Sequence, residues 1–431
     1  MQDVLERLFA RRTFGVKLGL DTELAVLDVL GNPHASLAVV HVAGTNGKGS
    51  VCALLESICL AAGLKTGLYT SPHLLRFNER FRVAGRDIDD DALASMLERV
   101  EAACEKVRED TGIESTFFEA ATALAFSHFA DQQVDVAIIE TGLGGRLDAT
   151  NVVTPLLSVI TRIAMDHTRH LGESLDGIAA EKCGIIKPGR PVISAAQEPQ
   201  VRDVIAELAG AQGCTCLHVE DSAAVHVKTG SWDGQKCLLE TADRSYGTLH
   251  LPLLGDHQLE NLATAVCTVE QLAEIGLPVN DPKTVAEGVK GVSWRGRCHV
   301  IQQEPVMILD GAHNLSAMEA LGGTLKGLAK KTKLGLICGF CEDKDVAGCL
   351  SCLPGTVRQA WAVPVRSERT MTADAVSEIV TQRGIPCHVS SLLDAIAEAQ
   401  AWAANGDGVV VITGSLFLVG EVLELIESGK L

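Results

Sequence analysis

The sequence predicts an α/β protein of two lobes: an N-terminal P-loop domain built on a mostly parallel sheet with a small antiparallel patch, and a smaller C-terminal doubly wound α/β domain. Three observations carry this reading. Short β-branched runs alternate with segments whose apolar residues recur at helical spacing, the pattern of parallel strands covered by helices. That alternation breaks into short alternating segments past the middle of the chain and then restarts. At 431 residues the chain also exceeds one ordinary core, on a prior of about 150 residues per domain.

The opening residues MQDVLERLFARRTFG have the pattern of a short amphipathic helix and lack the apolar run and cleavage site of a secretory signal. Residues 37–42 (LAVVHV) are an apolar run that ends in AGTNGKGS and passes into VCALLESICLAAG, so strand, glycine loop and helix follow one another. VDVAIIE (134–140), PLLSVIT (155–161) and PVISAA (191–196) repeat the strand, with the helical stretches FFEAATALAFSHFA and SLDGIAAEKCGII between or after them. From Thr215 to Leu253 short segments alternate with Gly and Asp turns, which predicts the antiparallel patch, and a helix follows near Gln258. The first lobe ends near residues 291–297. VMILD (306–310), LGLIC (334–338), RQAWAVP (358–364) and VVVIT (409–413) then mark out the second sheet.

Apolar residues make up 47% of the chain and charged residues 21%, an ordinary balance for a folded soluble protein. With 37 Lys and Arg against 55 Asp and Glu, the formal charge of -18 argues against a nucleic-acid partner. Any anion site must be local, made of backbone amides, a lysine and Mg²⁺. No apolar stretch reaches the roughly 18 residues of a membrane span, so a cytoplasmic protein with no membrane partner is expected. Fourteen scattered cysteines fit a reducing compartment. Cys338-x-x-Cys341 and Cys349-x-x-Cys352 resemble zinc half-sites in spacing, but Cys338 ends a strand-like run and the second pair lies in a helical one, which favours plain thiols.

Gly44-Thr45-Asn46-Gly47-Lys48-Gly49-Ser50 stands between strand and helix, where backbone N–H groups surround phosphate oxygens and Lys48 reaches the outer phosphates. The strict Walker spacing is broken twice, since Val42 replaces the first glycine and Gly49 follows the lysine. Taken alone, the segment also fits a glycine-rich turn with a solvated lysine. Glu140 follows a strand at the carboxyl edge of the sheet and offers a hard oxygen suited to Mg²⁺. Gly142, Gly144 and Gly145 let backbone approach a ligand or form a tight turn, and do not make the dinucleotide pattern.

Together AGTNGKGS, Tyr69-Thr70-Ser71-Pro72-His73-Leu74, Glu140-Thr141-Gly142-Leu143-Gly144-Gly145-Arg146-Leu147-Asp148 and Asp166-His167-Thr168 closely resemble folylpolyglutamate synthase and bifunctional dihydrofolate synthase, of the ATP-dependent Mur ligase superfamily. The similarity continues through Glu181-Lys182-Cys183-Gly184-Ile185, Trp294-Arg295-Gly296-Arg297, Asp310-Gly311-Ala312-His313-Asn314, Asp343-Lys344-Asp345 and Thr413-Gly414-Ser415, which covers almost the whole chain. The resemblance implies an ATP-binding, P-loop ATPase-like central domain over residues 1–294, a Rossmann-like C-terminal domain over 295–431 and a hinge near 291–298. It also implies a reaction: ATP phosphorylates a carboxylate, the acyl phosphate is attacked by the amine of L-glutamate, and phosphate leaves to give an amide. The acceptors are reduced folates and 7,8-dihydropteroate, and the protein is expected to be a monomer.

The resemblance assigns Ser71, Glu140 and His167 as ligands of Mg²⁺, implies two such ions, and makes Lys182 a carbamylated lysine that helps hold the second. Carbamylation needs a neutral amine, which burial beside Ile185 and Ile186 would favour. From the residues alone, His167 also reads as a hydrogen-bonded loop histidine and Lys182 as a lysine near the end of an exposed helix. Asn261 matches a nucleotide-contacting asparagine, Arg297 a hinge arginine that grips phosphate, and Asp310 and His313 residues at the nucleotide and reaction centre, brought in by domain closure. Arg295 stands where many members have proline. The plainer alternatives are a solvent-facing amide, a linker charge and a helix cap. Ser415 matches a candidate for the glutamate carboxylate at a helix N-terminus. Phe118 resembles an aromatic packed near the pterin, although aromatics at helical spacing usually build core.

Lys17-Leu18-Gly19-Leu20-Asp21-Thr22 departs from the Leu-Gly-Leu-Glu-Arg often found there, which bears on dihydropteroate use. A cell-wall precursor ligase would carry a further domain ahead of the loop, which the 43 residues before Gly44 are not expected to supply. A nucleotide-binding switch without ligase activity is the rival from another class.

Overall fold

The computed structural model describes residues 7–9, 11, 19–165, 172, 174–367, 369–406 and 408–431. The expected opening helix falls largely outside them, and so does His167. Contacts divide the chain into two units, Met1–Val225 with Leu239–Gly247 and Glu260–Gly291, and His226–Leu238 with Thr248–Leu259 and Val292–Leu431.

In the first unit the described elements run α1 (Asp21–Val29), β1 (Val39–Ala43), α2 (Lys48–Ala61), β2 (Thr66–Tyr69), β3 (Phe81–Val83), β4 (Arg86–Asp87), α3 (Asp90–Thr111), α4 (Phe117–Asp131), β5 (Val136–Glu140), β6 (Leu157–Ile160), α5 (Leu175–Cys183), β7 (Val192–Ser194), α6 (Pro199–Ala211) and β8 (Cys216–His218). The strands form one sheet in the order β4-β3-β2-β5-β1-β6-β7-β8. It is parallel from β2 to β8, and β3 and β4 extend it antiparallel. Strands β1, β5 and β6 are buried along their whole length. Helices cover both faces, so these strands read as continuous apolar runs rather than alternating ones. The register sets Val42 opposite Glu140 and Ala43 opposite Ile160, which brings the carboxyl ends of β1, β5 and β6 level.

Local chemistry fixes the covering helices. Thr116 caps α4 by accepting from the Glu119 N–H at 3.2 Å, and Glu119 accepts from the Thr116 N–H at 2.7 Å, a reciprocal capping box. The chain then forms β9 (Ala223–Ser231), β10 (Gly234–Thr241) and β11 (Ser245–Leu251), a meander in the order β11-β10-β9. Connections of two and three residues make these neighbours antiparallel. They are followed by α7 (Asp256–Glu274) and α8 (Pro282–Gly291). Helix α8 packs closely on α2, because a Cβ at Gly288 would lie 2.5 Å from Ile58 Cα.

The second unit is built on β12 (His299–Gln303), β13 (Val306–Leu309), α9 (Leu315–Leu328), β14 (Leu334–Cys338), α10 (Val346–Ser351), β15 (Val357–Ala362), α11 (Ala373–Gln382), β16 (Cys387–Val389), α12 (Leu392–Ala404), β17 (Val409–Thr413) and α13 (Leu416–Glu427). Its sheet order is β12-β13-β17-β14-β15-β16, parallel except for the edge strand β12. The sequence reading named β13, β14, β15 and β17 but not β12 or β16. In the first sheet it passed over β2, β3 and β4, and it placed β8, which pairs parallel with β7, in the antiparallel stretch. Thr-Gly-Leu-Tyr is too short and too poor in β-branched residues to stand out. Cys338 and Cys349 are buried in the core of the second unit, where burial raises both thiols. Among the described residues no group of three or more His, Cys, Asp or Glu side chains is placed to hold a metal. No described helix is long and apolar enough to cross a membrane.

One buried ion pair makes the first unit sensitive to pH. Glu56 of α2 pairs with Arg82 of β3 at 3.2 Å, and burial outweighs the arginine and lifts its carboxyl from the ordinary 4.5 to about 7. The folded state therefore holds a proton that the unfolded chain has already released, so stability falls as pH rises from about 4.5 through about 7. Glu56→Gln does not titrate, and its melting temperature should gain on the wild type between pH 5 and pH 8. Parallel melting curves across that range are the check.

Candidate active site

Backbone is packed tightly where β1 ends. Gly44 and Gly47 have φ of +151° and +90°, conformations that L side chains rarely adopt. A Cβ on Gly44 would lie 1.8 Å from Thr161 Oγ1, and one on Gly47 would lie 2.4 Å from Asn261 Oδ1. The N–H groups of Thr45 and Asn46 donate to the Arg162 carbonyl at 3.0 and 3.2 Å. Thr45 Oγ1 donates to the Ala164 carbonyl at 3.0 Å. These bonds tie the loop to the segment leaving β6. With Thr45 and Asn46 committed in this way, the N-terminus of α2, which opens at Lys48, is the part of the loop whose N–H groups suit phosphate.

Two lysines meet at the same loop. Lys48 Nζ donates to the carbonyls of Gly44 at 3.0 Å and Thr45 at 3.2 Å, and Lys182 Nζ donates to that of Gly44 at 2.8 Å. Lys182 is 4% exposed, beside the buried Ile185 and Ile186, so the exposed-helix alternative does not hold. Its place follows from glycine. A Cβ on Gly145 would lie 2.6 Å from the Lys182 carbonyl, and one on Gly184 would lie 2.3 Å from Arg146 Cβ. The loop after β5 thus runs directly against the end of α5, held by the Arg146 guanidinium on Glu181 at 2.6 Å.

Glu140 ends β5, is 5% exposed, and its Oε2 accepts from the Ser71 N–H at 3.0 Å. Ser71 stands two residues beyond β2, so the chain brings Ser71, Glu140 and the phosphate loop to one sheet edge. A buried carboxylate at this edge fits Mg²⁺, which usually takes one or two carboxylates and completes its shell with water and substrate phosphates. Next to it, Asp148 acts as a clasp that the sequence reading passed over. Its Oδ2 accepts from the N–H groups of Gly142 and Leu143 at 2.9 and 2.8 Å, and its Oδ1 from the N–H of Thr150 at 3.0 Å and from the Thr150 hydroxyl. Thr150 Oγ1 in turn meets Nε2 of the buried His41 at 2.8 Å, where desolvation pushes the imidazole down to about 3. The only sequence hint of this network is the Asp that closes the glycine motif. Phe118 lies against Gly142, where a Cβ would come within 2.4 Å of its ring.

In the second unit, Asp310 follows β13 and is fully engaged with backbone. Its Oδ2 accepts from the Cys298 N–H at 2.7 Å and its Oδ1 from the Ala312 N–H at 2.8 Å. Burial raises its pKa against the pull of Arg297 and these two N–H groups. Asp310 therefore braces the loop that carries His313. His313 Nδ1 is 2.7 Å from the Gly311 carbonyl. A carbonyl only accepts, so Nδ1 carries a proton and donates it to Gly311. The two arginines Arg295 and Arg297 separate clearly. Arg295 pairs with Glu427 at 2.9 Å on the surface, whereas a Cβ on Gly311 would meet Arg297 Nη1 at 2.9 Å. Ser415 is buried and caps α13 by accepting from the Phe417 N–H at 3.1 Å.

The crowding at the loop gives a direct test. Gly44→Ala should destabilise the protein by more than the roughly 1–3 kcal/mol of backbone strain alone, because its Cβ also runs into the Thr161 side chain and backbone, and by more than Gly47→Ala, whose Cβ meets only the end of the Asn261 side chain. Chemical denaturation checks this.

The geometry agrees with what the chain is similar to. Residues 42–269 match the Mur ligase middle domain, and residues 296–416 match the Mur ligase glutamate ligase domain. Folylpolyglutamate synthase of Lacticaseibacillus casei is 36% identical over 411 residues, 94% of each chain. Dihydrofolate synthase/folylpolyglutamate synthase of Escherichia coli K12 is 34% identical, covering 96% of this chain and 93% of its own. The solved structure of E. coli FolC in complex with DHPP and ADP superposes with a TM-score of 0.86 at 32% identity, covering 99% of this chain and 98% of that one. A phosphate loop braced on β6, a buried carboxylate level with it on β5 and two lysines on one carbonyl accord with these likenesses, and the chain belongs to the folylpolyglutamate synthase and dihydrofolate synthase family of ATP-dependent Mur ligases.

Proposed function

We propose that this ligase joins L-glutamate to reduced folates, using ATP, and also accepts 7,8-dihydropteroate. The observation that carries the reading is the convergence of Lys48, Lys182, Glu140 and Ser71 around Gly44 at one sheet edge, in a chain of this family. The first-turn N–H groups of α2 and Lys48 hold the triphosphate. Transfer of the terminal phosphoryl group to the acceptor carboxylate gives an acyl phosphate. The glutamate amine attacks its carbonyl carbon, and the tetrahedral intermediate expels phosphate to leave the amide.

The difficult encounter is between carboxylate and triphosphate, two anions in a partly dry site, where repulsion is strong. Mg²⁺ held by Glu140 and Ser71, with His167 and a carbamylated Lys182 completing two sites as the family resemblance implies, supplies the compensating charge when bound. Asn261 and Arg297 are assigned to the nucleotide and His313 to the reaction centre, with Asp310 setting the loop that carries His313. Ser415, at the N-terminus of α13, is assigned to the carboxylate of the incoming glutamate. Phe118 is assigned to the pterin.

Incubation with ATP, Mg²⁺ and L-glutamate, with tetrahydrofolate or dihydropteroate offered separately, tests the reading by product mass and phosphate release. Adducts with both acceptors are expected. An adduct with tetrahydrofolate alone limits the protein to polyglutamylation, and ATP binding with no adduct from either makes it a nucleotide switch. Lys48→Ala and Glu140→Ala should each lower turnover by about a hundredfold or more while circular dichroism and melting show a folded protein. Normal turnover in either removes that residue from the site.

A further inference from the structure

Strand β6 ends at Ile160, and residues 161–164 brace the phosphate loop. The Arg162 carbonyl accepts from the N–H groups of Thr45 and Asn46 at 3.0 and 3.2 Å. Thr45 Oγ1 donates to the Ala164 carbonyl at 3.0 Å and accepts from the Ala164 N–H at 3.1 Å. Thr161 is the residue that any side chain on Gly44 would strike. The brace itself lies past the end of the sheet. Pairing of β6 with β7 stops at Ile160 opposite Ser194, and the Ala195 N–H reaches back to the Ile160 carbonyl at 2.9 Å. Backbone groups beyond that point need partners from elsewhere.

One side chain supplies them. Gln197 Nε2 donates to the Thr161 carbonyl at 3.0 Å, and Gln197 Oε1 accepts from the Ile163 N–H at 3.0 Å. A primary amide carries a donor and an acceptor on one carbon, as a peptide group does. Here both are spent on the two residues that flank Arg162. A carbonyl only accepts and an N–H only donates, so these partners also fix which way the amide points. Thr161 and Ile163 are 0% and 2% exposed, which leaves little water to replace either bond. Gln197 stands between β7 and α6, where Pro199 opens the helix and keeps Glu198 extended at φ -62° and ψ 145°. Glu198 adds an ion pair with Arg162 at 3.1 Å, half exposed and so of small weight.

We propose that Gln197 is a positioning residue for nucleotide binding. It holds Thr161 and Ile163 so that the Arg162 carbonyl meets Thr45 and Asn46, and the loop is set before the triphosphate arrives. The inference rests on the assignment of this loop to the triphosphate in the functional reading above. Gln197 acts only through the brace and touches no substrate. Glutamate at this position keeps the acceptor for Ile163 but turns an oxygen on the Thr161 carbonyl, and leucine keeps neither bond. A loop that holds its binding conformation about a tenth of the time binds about tenfold more weakly. The loss therefore falls on nucleotide affinity.

The test compares wild type, Gln197→Leu and Gln197→Glu by ADP titration, by KM for ATP and for L-glutamate, and by hydrogen exchange of the peptide spanning residues 39–50, each well below the melting temperature. Both variants should bind ADP about ten- to a hundredfold more weakly and raise the KM for ATP alike, while the KM for L-glutamate stays unchanged. The loop peptide should exchange faster, and peptides from α4 should keep wild-type protection. A variant that melts lower but binds ADP with the wild-type Kd overturns the proposal, reduces Gln197 to a structural tie and leaves the functional reading standing. A wild type whose loop peptide gains no protection from bound ADP overturns the assignment of the loop, and the proposal with it. Should Gln197→Leu fail to fold, Gln197→Glu carries the same comparison, an unchanged Kd for ADP again overturning the proposal.

Discussion

The loop leaving β1 runs so close to the segment leaving β6 that a single methyl on Gly44 would sit inside Thr161, and much of the arrangement at this sheet edge follows from that contact. Because Gly44 has no side chain, its carbonyl is open to two ammonium groups from different elements, α2 and α5. The same device recurs at Gly145 and Gly184, where backbone meets backbone and fixes the end of α5. Glycine is used here for proximity as much as for conformation, since neither Gly145 nor Gly184 has positive φ.

Around this packing the charges are distributed unevenly. A chain with a formal charge of -18 keeps two lysines on one loop carbonyl and sets the buried Glu140 beside them, on the neighbouring strand. The overall acidity matters little at that range, because local cations and backbone dipoles act over a few ångströms while surface charges are screened. Asp148 and Asp310 show a second use of buried carboxylates. Each spends its oxygens on backbone N–H groups and so shapes a loop. The price is desolvation, visible in the raised pKa of both.

Much of this was legible before any coordinates. The long buried strands declare themselves by β-branched runs, and the phosphate loop by its glycines and its place between strand and helix. Strands β2, β12 and β16 did not, because short segments at sheet edges or rich in Gly and Thr carry too little periodicity. Sequence spacing likewise gave Asp310 and Asp148 no role as braces, because their partners are backbone N–H groups, which every residue has.

The division of the chain into units has a practical meaning for anyone who wishes to take it apart. The second unit draws His226–Leu238 and Thr248–Leu259 from well upstream of Val292. Of these, Leu254 is buried in that unit's core, and Trp232 packs against it. A fragment beginning at Val292 would therefore start life with a hole in its own interior, and a fragment ending at Gly291 would carry apolar side chains with nothing to cover them. A cut at Val292 thus separates the second unit from side chains that its own core uses.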